Sequence, residues 1–232
     1  MSGKEILCSK SVVMEKKCSC GSSKLIKHGF TKSKSQRLKC LTCNKTRVGK
    51  YSNKACHPDI NQHIVVLTKE GLGIRSTARV LTISPTTLLK RLLSIARNVV
   101  RPAISKGKTY EVDELCTFIG NKKRVVWIAY ALERESRKVV SYSVGSRTNK
   151  TLQVVLNSLH LSEAKSIYTD GLQNYRYLIS KDIHKITRFG TNHIERNNLT
   201  LRTRLKRLSR RTICYSKSLG IITAVLSIYF WA

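Results

Sequence analysis

Three strand-like runs in succession constrain this chain more than any other feature: KTYEVDELCTFIG (108–120), RVVWIAYALE (124–133) and KVVSYSVGS (138–146). β-branched and aromatic residues dominate them. Only a short turn at Asn121–Lys123 and the polar RESR segment separate them, so they read as an antiparallel meander. The period then changes. TNKTLQVVLNSLH sets Leu152, Val155, Leu156 and Leu159 on one helical face, and KSIYTDG is a short strand ending in a turn. LQNYRYLIS is a second helix and HKITRF a weak strand. A long basic helix starts near Asn192, and SLGIITAVLSIYFW is an apolar helix suited to a core. A meander that continues as alternating helices and strands implies a mixed sheet with helices on both faces.

Charge narrows the function. The 232 residues include 44 Lys and Arg against 13 Asp and Glu, a net charge of +31, which calls for a polyanionic partner, and nucleic acid is the one expected. No apolar run reaches the roughly 18 residues of a membrane span. The N-terminal MSGKEILCSKSVVMEKK lacks the apolar stretch of a secretory signal. The expected location is therefore the cytoplasm, on the nucleoid, with no membrane partner.

Acids this scarce stand out. From Ile183 to Ala232 there are ten Lys and Arg and one acid, Glu195. The first strand of the meander holds Glu111, Asp113 and Glu114, and Asp170 ends a later strand just before Gly171. Asp182, in the polar stretch SKDIHK, reads as a turn residue. Carboxylates from two strands and a helix repel one another unless hard divalent cations, Mg²⁺ or Mn²⁺, hold them together. Two such ions about 4 Å apart activate a water or hydroxyl and stabilise the leaving oxygen in phosphoryl transfer. Taken singly, Asp170 also suits a helix cap, and Glu195 suits the positive end of its own helix.

Two smaller regions precede the sheet. In residues 1–52, Cys18 and Cys20 form a C-x-C pair and Cys40 and Cys43 a C-x-x-C pair, with nineteen residues between the pairs. Two knuckles joined by a hairpin, with LIKHGF and QRLKC as its strands, would supply four soft ligands to a structural Zn²⁺. The C-x-C spacing is tight, which leaves Cys8 or His28 as alternative ligands. Cys56, Cys116 and Cys214 have no partners at ligand spacing and read as small core residues. Residues 53–101 read as helices. DINQHIVVLTKEG is one; Ile74, Ala78 and Leu81 mark a second; Ser84 and Pro85 open a third that carries Leu88, Leu92 and Ile95. The short link through Thr82 and Ile83 suits a helix-turn-helix. Thr86, Thr87 and Lys90 would then face DNA bases and phosphates, and Arg75, Arg79 and Arg91 phosphates. RPAISKGK (101–108) reads as a linker into the third region, 102–232.

At YEVDEL, YTDGLQNY and HIERNN the chain resembles the DDE transposases of the insertion sequence 1 family. The order of ribbon, helix-turn-helix and WIAYALE…VVSYSVGSRT extends the resemblance over nearly the whole chain, and 24 residues separate Asp170 from Glu195. The resemblance implies a multidomain α+β protein whose third region is a ribonuclease H-like domain. It implies Asp113, Asp170 and Glu195 as the catalytic, metal-binding triad, with two Mg²⁺ or Mn²⁺ per site. Arg202 would lie against DNA, and His193 and Asn198 would orient DNA or water. The choice of Asp113 over Glu111, which shares its strand face, rests partly on the resemblance. The implied activity is transposition. The protein would bind terminal inverted repeats, cleave the element's ends and join the 3′ ends to target DNA, as a homodimer or larger assembly. Two other readings remain: a non-enzymatic DNA-binding regulator, and a metal-dependent nuclease or resolvase.

Overall fold

The structure, a computed structural model, describes residues 17–49, 53–187 and 189–232, so Cys8 and the N-terminal segment lie outside the described residues. The chain divides into two compact units, Met1–Pro58 and Asp59–Ala232.

The first unit holds a three-stranded antiparallel sheet of β1 (Leu25–Phe30), β2 (Gln36–Cys40) and β3 (Thr46–Val48), in that order. β1 and β2 are the expected hairpin. β3 was not anticipated, because three residues are too few to show an alternation. Between residues 17 and 49 only Cys18 and Cys40 are buried. Cys56 is exposed. It is not the core residue its isolation suggested.

In the second unit, α1 (Ile60–Lys69), α2 (Ile74–Leu81) and α3 (Pro85–Asn98) come first. Thr82 closes α2 in the left-handed conformation (φ 55°), and the Ser84 hydroxyl caps α3 by accepting the Thr87 N–H at 3.0 Å. Ile60, Ile64, Ala78, Leu88 and Leu92 share a small core with Ile228 of α7 (Leu219–Trp231), the expected apolar helix.

The meander forms β4 (Thr109–Ile119), β5 (Asn121–Glu133) and β6 (Val139–Gly145). The first reversal comes at Gly120 (φ +74°), just before the Asn121–Lys123 turn read from the sequence. Asn121 instead opens β5, its side chain accepting the Lys123 and Arg124 N–H groups. Then follow α4 (Asn149–Leu161), β7 (Ser166–Tyr168), α5 (Gln173–Leu178), β8 (His184–Lys185) and α6 (Asn192–Arg204). The sheet order is β6-β5-β4-β7-β8, with the meander antiparallel and β4, β7 and β8 parallel. This is the ribonuclease H-like arrangement. Even-numbered residues of β4, such as Tyr110 and Val112, pack with Leu152, Val155, Leu156 and Leu159 of α4. Odd-numbered Leu115 and Ile119 pack with Ile194 and Leu201 of α6 and with Ile222, Val225 and Leu226 of α7.

The basic helix is shorter than its sequence suggests. It ends at Arg204, and a 3₁₀ turn (Lys206–Leu208) follows. Like charges at helical spacing, such as Arg202 with Lys206 and Arg207 with Arg211, oppose continuation. Thr117 of β4 instead donates to the Arg207 carbonyl at 3.2 Å. The end of α6 lies against the turn after α1. Gly71 has φ +77°, and a Cβ there would stand 2.0 Å from the Arg204 carbonyl oxygen. Gly71→Ala therefore combines a left-handed conformation with a backbone clash, and should destabilise the protein by about 2–4 kcal/mol. Urea denaturation would measure this, and a loss below about 1 kcal/mol would contradict the contact.

Candidate functional site

Strand register explains how two of the acids meet. β4 pairs in parallel with β7 through Tyr110↔Ile167 and Glu111↔Tyr168, and the pairing stops there. Asp113 and Asp170 each lie two residues further on, level with each other where the strands part. Asp113 Oδ1 accepts the Glu114 N–H at 2.7 Å, and Asp170 Oδ1 accepts the Leu172 N–H at 3.1 Å. A carboxylate oxygen of each, with one of Glu114, lies within 4.8 Å of the others.

Glu195 lies on α6, outside that group of three carboxylates, and Glu111 sets the helix. The Glu111 carboxylate is fully buried. Oε2 accepts the Ile194 N–H at 2.8 Å, and Oε1 accepts His193 Nδ1–H at 2.6 Å with Arg134 Nε at 3.3 Å. Arg134 in turn stacks on Tyr168, 4.4 Å from the ring centre. Glu111 is thus committed to fixing the first turn of α6, and Asp113 is the acid on that strand face left open to the site. Glu195, in the same turn, is exposed and accepts the Thr191 hydroxyl at 2.8 Å. Further along α6, Asn198 Nδ2 donates to Asp113 Oδ2 at 2.6 Å, and Asn198 Oδ1 accepts the Tyr130 hydroxyl at 2.8 Å. Asn197 also bonds Tyr130, at 3.2 Å. Tyr130 pairs directly across from Asp113 on β5. Sequence reading missed Tyr130 and the positioning role of Glu111. The continuous apolar run of β5 was the signal for the first, and nothing local signalled the second.

Electrostatics follow the geometry. Burial, with Asp170 and Glu195 nearby, pushes Asp113 up to about 6 against the favourable Glu114 amide and Asn198. Burial likewise pushes Glu114 up to about 7, opposed by Arg147 and reinforced by Asp170 and Asp113. Unfolded, both groups would be ionised above about pH 4.5. The folded state thus holds more protons between about pH 4 and pH 7, and without added divalent cations stability falls across that window as pH rises. Asp113→Asn removes part of this. Its melting temperature relative to wild type should rise from pH 4 to pH 8, and a difference independent of pH would contradict the shared site.

Arg202 lies half-buried two turns beyond Glu195, near Asp113 and Tyr130. Burial and Arg210 lower its pKa, and its buried Nη1 has no hydrogen-bond partner. Among the residues expected to face DNA, Arg75, Arg79, Thr86 and Lys90 are exposed, and Arg75 and Arg79 flank a shallow depression at the α2–α3 turn. The Thr87 hydroxyl is 2.8 Å from that of Ser84, and Arg91, half-buried, reaches Asn61 of α1 at 3.3 Å. Cys214 is exposed and Cys116 half-buried, so neither is the fully buried core residue expected.

In the first unit the four cysteines converge, and the C-x-C pair takes part. Cys18, Cys20, Cys40 and Cys43 present sulfurs all within 4.8 Å of one another, with Cys18–Cys43 at 3.5 Å and Cys20–Cys40 at 3.7 Å. A tetrahedral Zn²⁺ with bonds of about 2.3 Å requires sulfurs about 3.8 Å apart. The Cys43 and Thr42 N–H groups draw Cys40 down to about 6 despite its desolvation. Cys43, although favoured by the Lys45 N–H, is pushed up to about 11 by Cys18 and by burial. His28 is exposed on β1, outside the cluster.

Residues 108–231 match the family described as IS1 transposase. The chain is 39% identical over 119 residues to the insertion element iso-IS1n protein InsB of Shigella dysenteriae, spanning 51% of this chain and 91% of that protein. It is 37% identical over 119 residues, with the same coverage, to the insertion element IS1 protein InsB of Shigella flexneri. Solved structures resemble it only distantly. A chain of the simian T-cell lymphotropic virus intasome in complex with PP2A regulatory subunit B56 gamma has 14% identity and a TM-score of 0.38, over 71% of this chain and 67% of that one. The HTLV-2 integrase catalytic core domain in complex with magnesium has 16% identity and a TM-score of 0.35, over 55% and 86%.

Proposed function

The chain belongs to the IS1 transposase family, and from that premise we propose that it binds the terminal inverted repeats of an insertion sequence, cleaves the element's ends and joins the 3′ ends to target DNA. The observation that carries this reading is the convergence of Asp113 and Asp170, with carboxylate oxygens within 4.8 Å of each other, while α6, which carries Glu195, is tied to Asp113 through Asn198. Those three acids would hold Mg²⁺ or Mn²⁺, two ions per site, which when bound lower the pKa of the attacking oxygen and stabilise charge on the leaving one.

The chain's own groups supply the positioning. Asn198 fixes Asp113, and Glu111 holds His193 by Nδ1, which leaves Nε2 for DNA or water. Arg202, half-buried two turns beyond Glu195, would turn its guanidinium to a phosphate oxygen. In the first step a water oxygen bonds to phosphorus and the element's 3′ oxygen leaves. In the second that 3′ hydroxyl attacks a target phosphate and a target 3′ oxygen leaves. Bond count is conserved in the second step, so no ATP is required. Arg75 and Arg79 would contact phosphates, and Thr86, Thr87 and Lys90 at the start of α3 would face the major groove. Arg91, one turn on from Thr87, would also contact a phosphate. Cys18, Cys20, Cys40 and Cys43 would hold a structural Zn²⁺, with four protein ligands and no open position. Acting on two ends at once requires a homodimer or larger assembly, and the reaction belongs in the cytoplasm where the DNA lies.

The test is to incubate the protein and Mg²⁺ with a donor plasmid carrying the element's ends and a second plasmid, then sequence the junctions. Element 3′ ends joined to target are expected. Cut but never joined ends would favour a nuclease, and DNA bound without cutting would favour a regulator.

A further inference from the structure

Glu114 is the one acid at the strand fork without a role in the account above. It points away from α6, toward the α4–α5 face of the sheet, where a strand residue adjacent to Asp113 would normally be isolated from it. β4 has already parted from β7 at this point, and the longer Glu side chain brings an oxygen within 4.8 Å of both Asp113 and Asp170. Its side chain is 2% exposed, and buried Oε1 has no hydrogen-bond partner. Oε2 faces Arg147 at 3.7 Å, beyond hydrogen-bond length, while Arg147 stacks on Trp127 at 4.4 Å. From α5 the fully buried Tyr175 hydroxyl, also without a partner, faces the same carboxyl.

Two unpartnered polar groups in one buried spot are costly, and buried polar atoms are normally satisfied. A Tyr175–Glu114 hydrogen bond would satisfy both groups, but it would leave three carboxylates crowded within 4.8 Å with no compensating charge among them. A hard cation shared with Asp113 and Asp170 would take up the free Glu114 oxygen, and Tyr175 could then donate to the carboxylate so ordered. Charge agrees: Asp113, Glu114, Asp170 and Glu195 together would balance two divalent ions. We propose that Glu114 is a further ligand of the divalent-cation site, on the sheet face opposite Glu195, held in place by Tyr175 and Arg147. This rests on the reading of Asp113 and Asp170 as cation ligands.

The experiment titrates Mn²⁺ into the full chain and follows free Mn²⁺ by electron paramagnetic resonance, with no DNA and no turnover. Glu114→Gln should weaken Mn²⁺ binding by about tenfold or more. Tyr175→Phe, which keeps the ring, should weaken it by a smaller factor. Asp170→Asn distinguishes failure of the whole carboxylate site from failure of Glu114 alone. If it leaves affinity unchanged, the carboxylate site itself is wrong. If it weakens binding while Glu114→Gln does not, only the role of Glu114 is overturned. Should Glu114→Gln lose its cooperative melt, Glu114→Asp decides instead: weakened binding supports the ligand and unchanged binding overturns it.

Discussion

Glu195→Gln should slow end cleavage by about a thousandfold or more while leaving DNA affinity essentially unchanged. The substitution keeps shape and removes one charge. Glu195 is exposed, and its structural partner is the Thr191 hydroxyl, which the amide oxygen can also accept. Loss of a carboxylate near a helix N-terminus costs only about 0.3–1 kcal/mol at such a site. The first turn of α6 stays pinned by Glu111 through the Ile194 N–H and His193. The loss therefore falls on the cation site and not on the fold. Gel-shift and single-turnover cleavage assays on the same preparation would separate the two, and cleavage at the wild-type rate would remove Glu195 from the site.

The second large effect is expected at the cysteines. Cys40→Ser should release zinc and unfold the first unit while Asp59–Ala232 keeps its cooperative melt. Among residues 17–49 only Cys18 and Cys40 are buried, so this small sheet has almost no apolar core to hold it. If the four cysteines hold Zn²⁺, metal binding would supply nearly all the folding free energy, since structural Zn²⁺ contributes about 10–16 kcal/mol in comparable small modules. A serine oxygen is a harder and weaker ligand. Zinc content by a colorimetric chelator, with limited proteolysis of residues 17–49, would report both. A zinc-free but protease-resistant variant would show that the module folds by other means.

Much of the second unit was legible because its signals are local. Runs of β-branched and aromatic residues marked β4, β5 and β6, the 3.6-residue period marked α4, and Ser84–Pro85 marked the start of α3. The acids were legible because so basic a chain has few of them. What was not legible depends on packing across the sheet. Glu111 and Asp113 share a strand face, and only the approach of His193, Ile194 and Arg134 commits Glu111 to structure. Glu114 sits on the other face, and its nearness to Asp170 arises where β7 ends, which periodicity does not report. The end of α6 was hidden likewise, since Leu201, Leu205 and Leu208 keep helical spacing although the helix stops at Arg204. Isolation of Cys56 and Cys214 suggested burial, but a residue without ligand partners is not thereby apolar in context.

The central claim is that one carboxylate site, drawn from β4, the end of β7 and α6, carries out both cleavage and joining. The most direct measurement supplies DNA ends already cut to a free 3′ hydroxyl and follows their joining to a target plasmid in Mg²⁺. Wild type should join them, and Asp113→Asn, Asp170→Asn and Glu195→Gln should each lose joining as fully as they lose cleavage. Joining that persists in a variant unable to cleave, or pre-cut ends that wild type never joins, would contradict the claim.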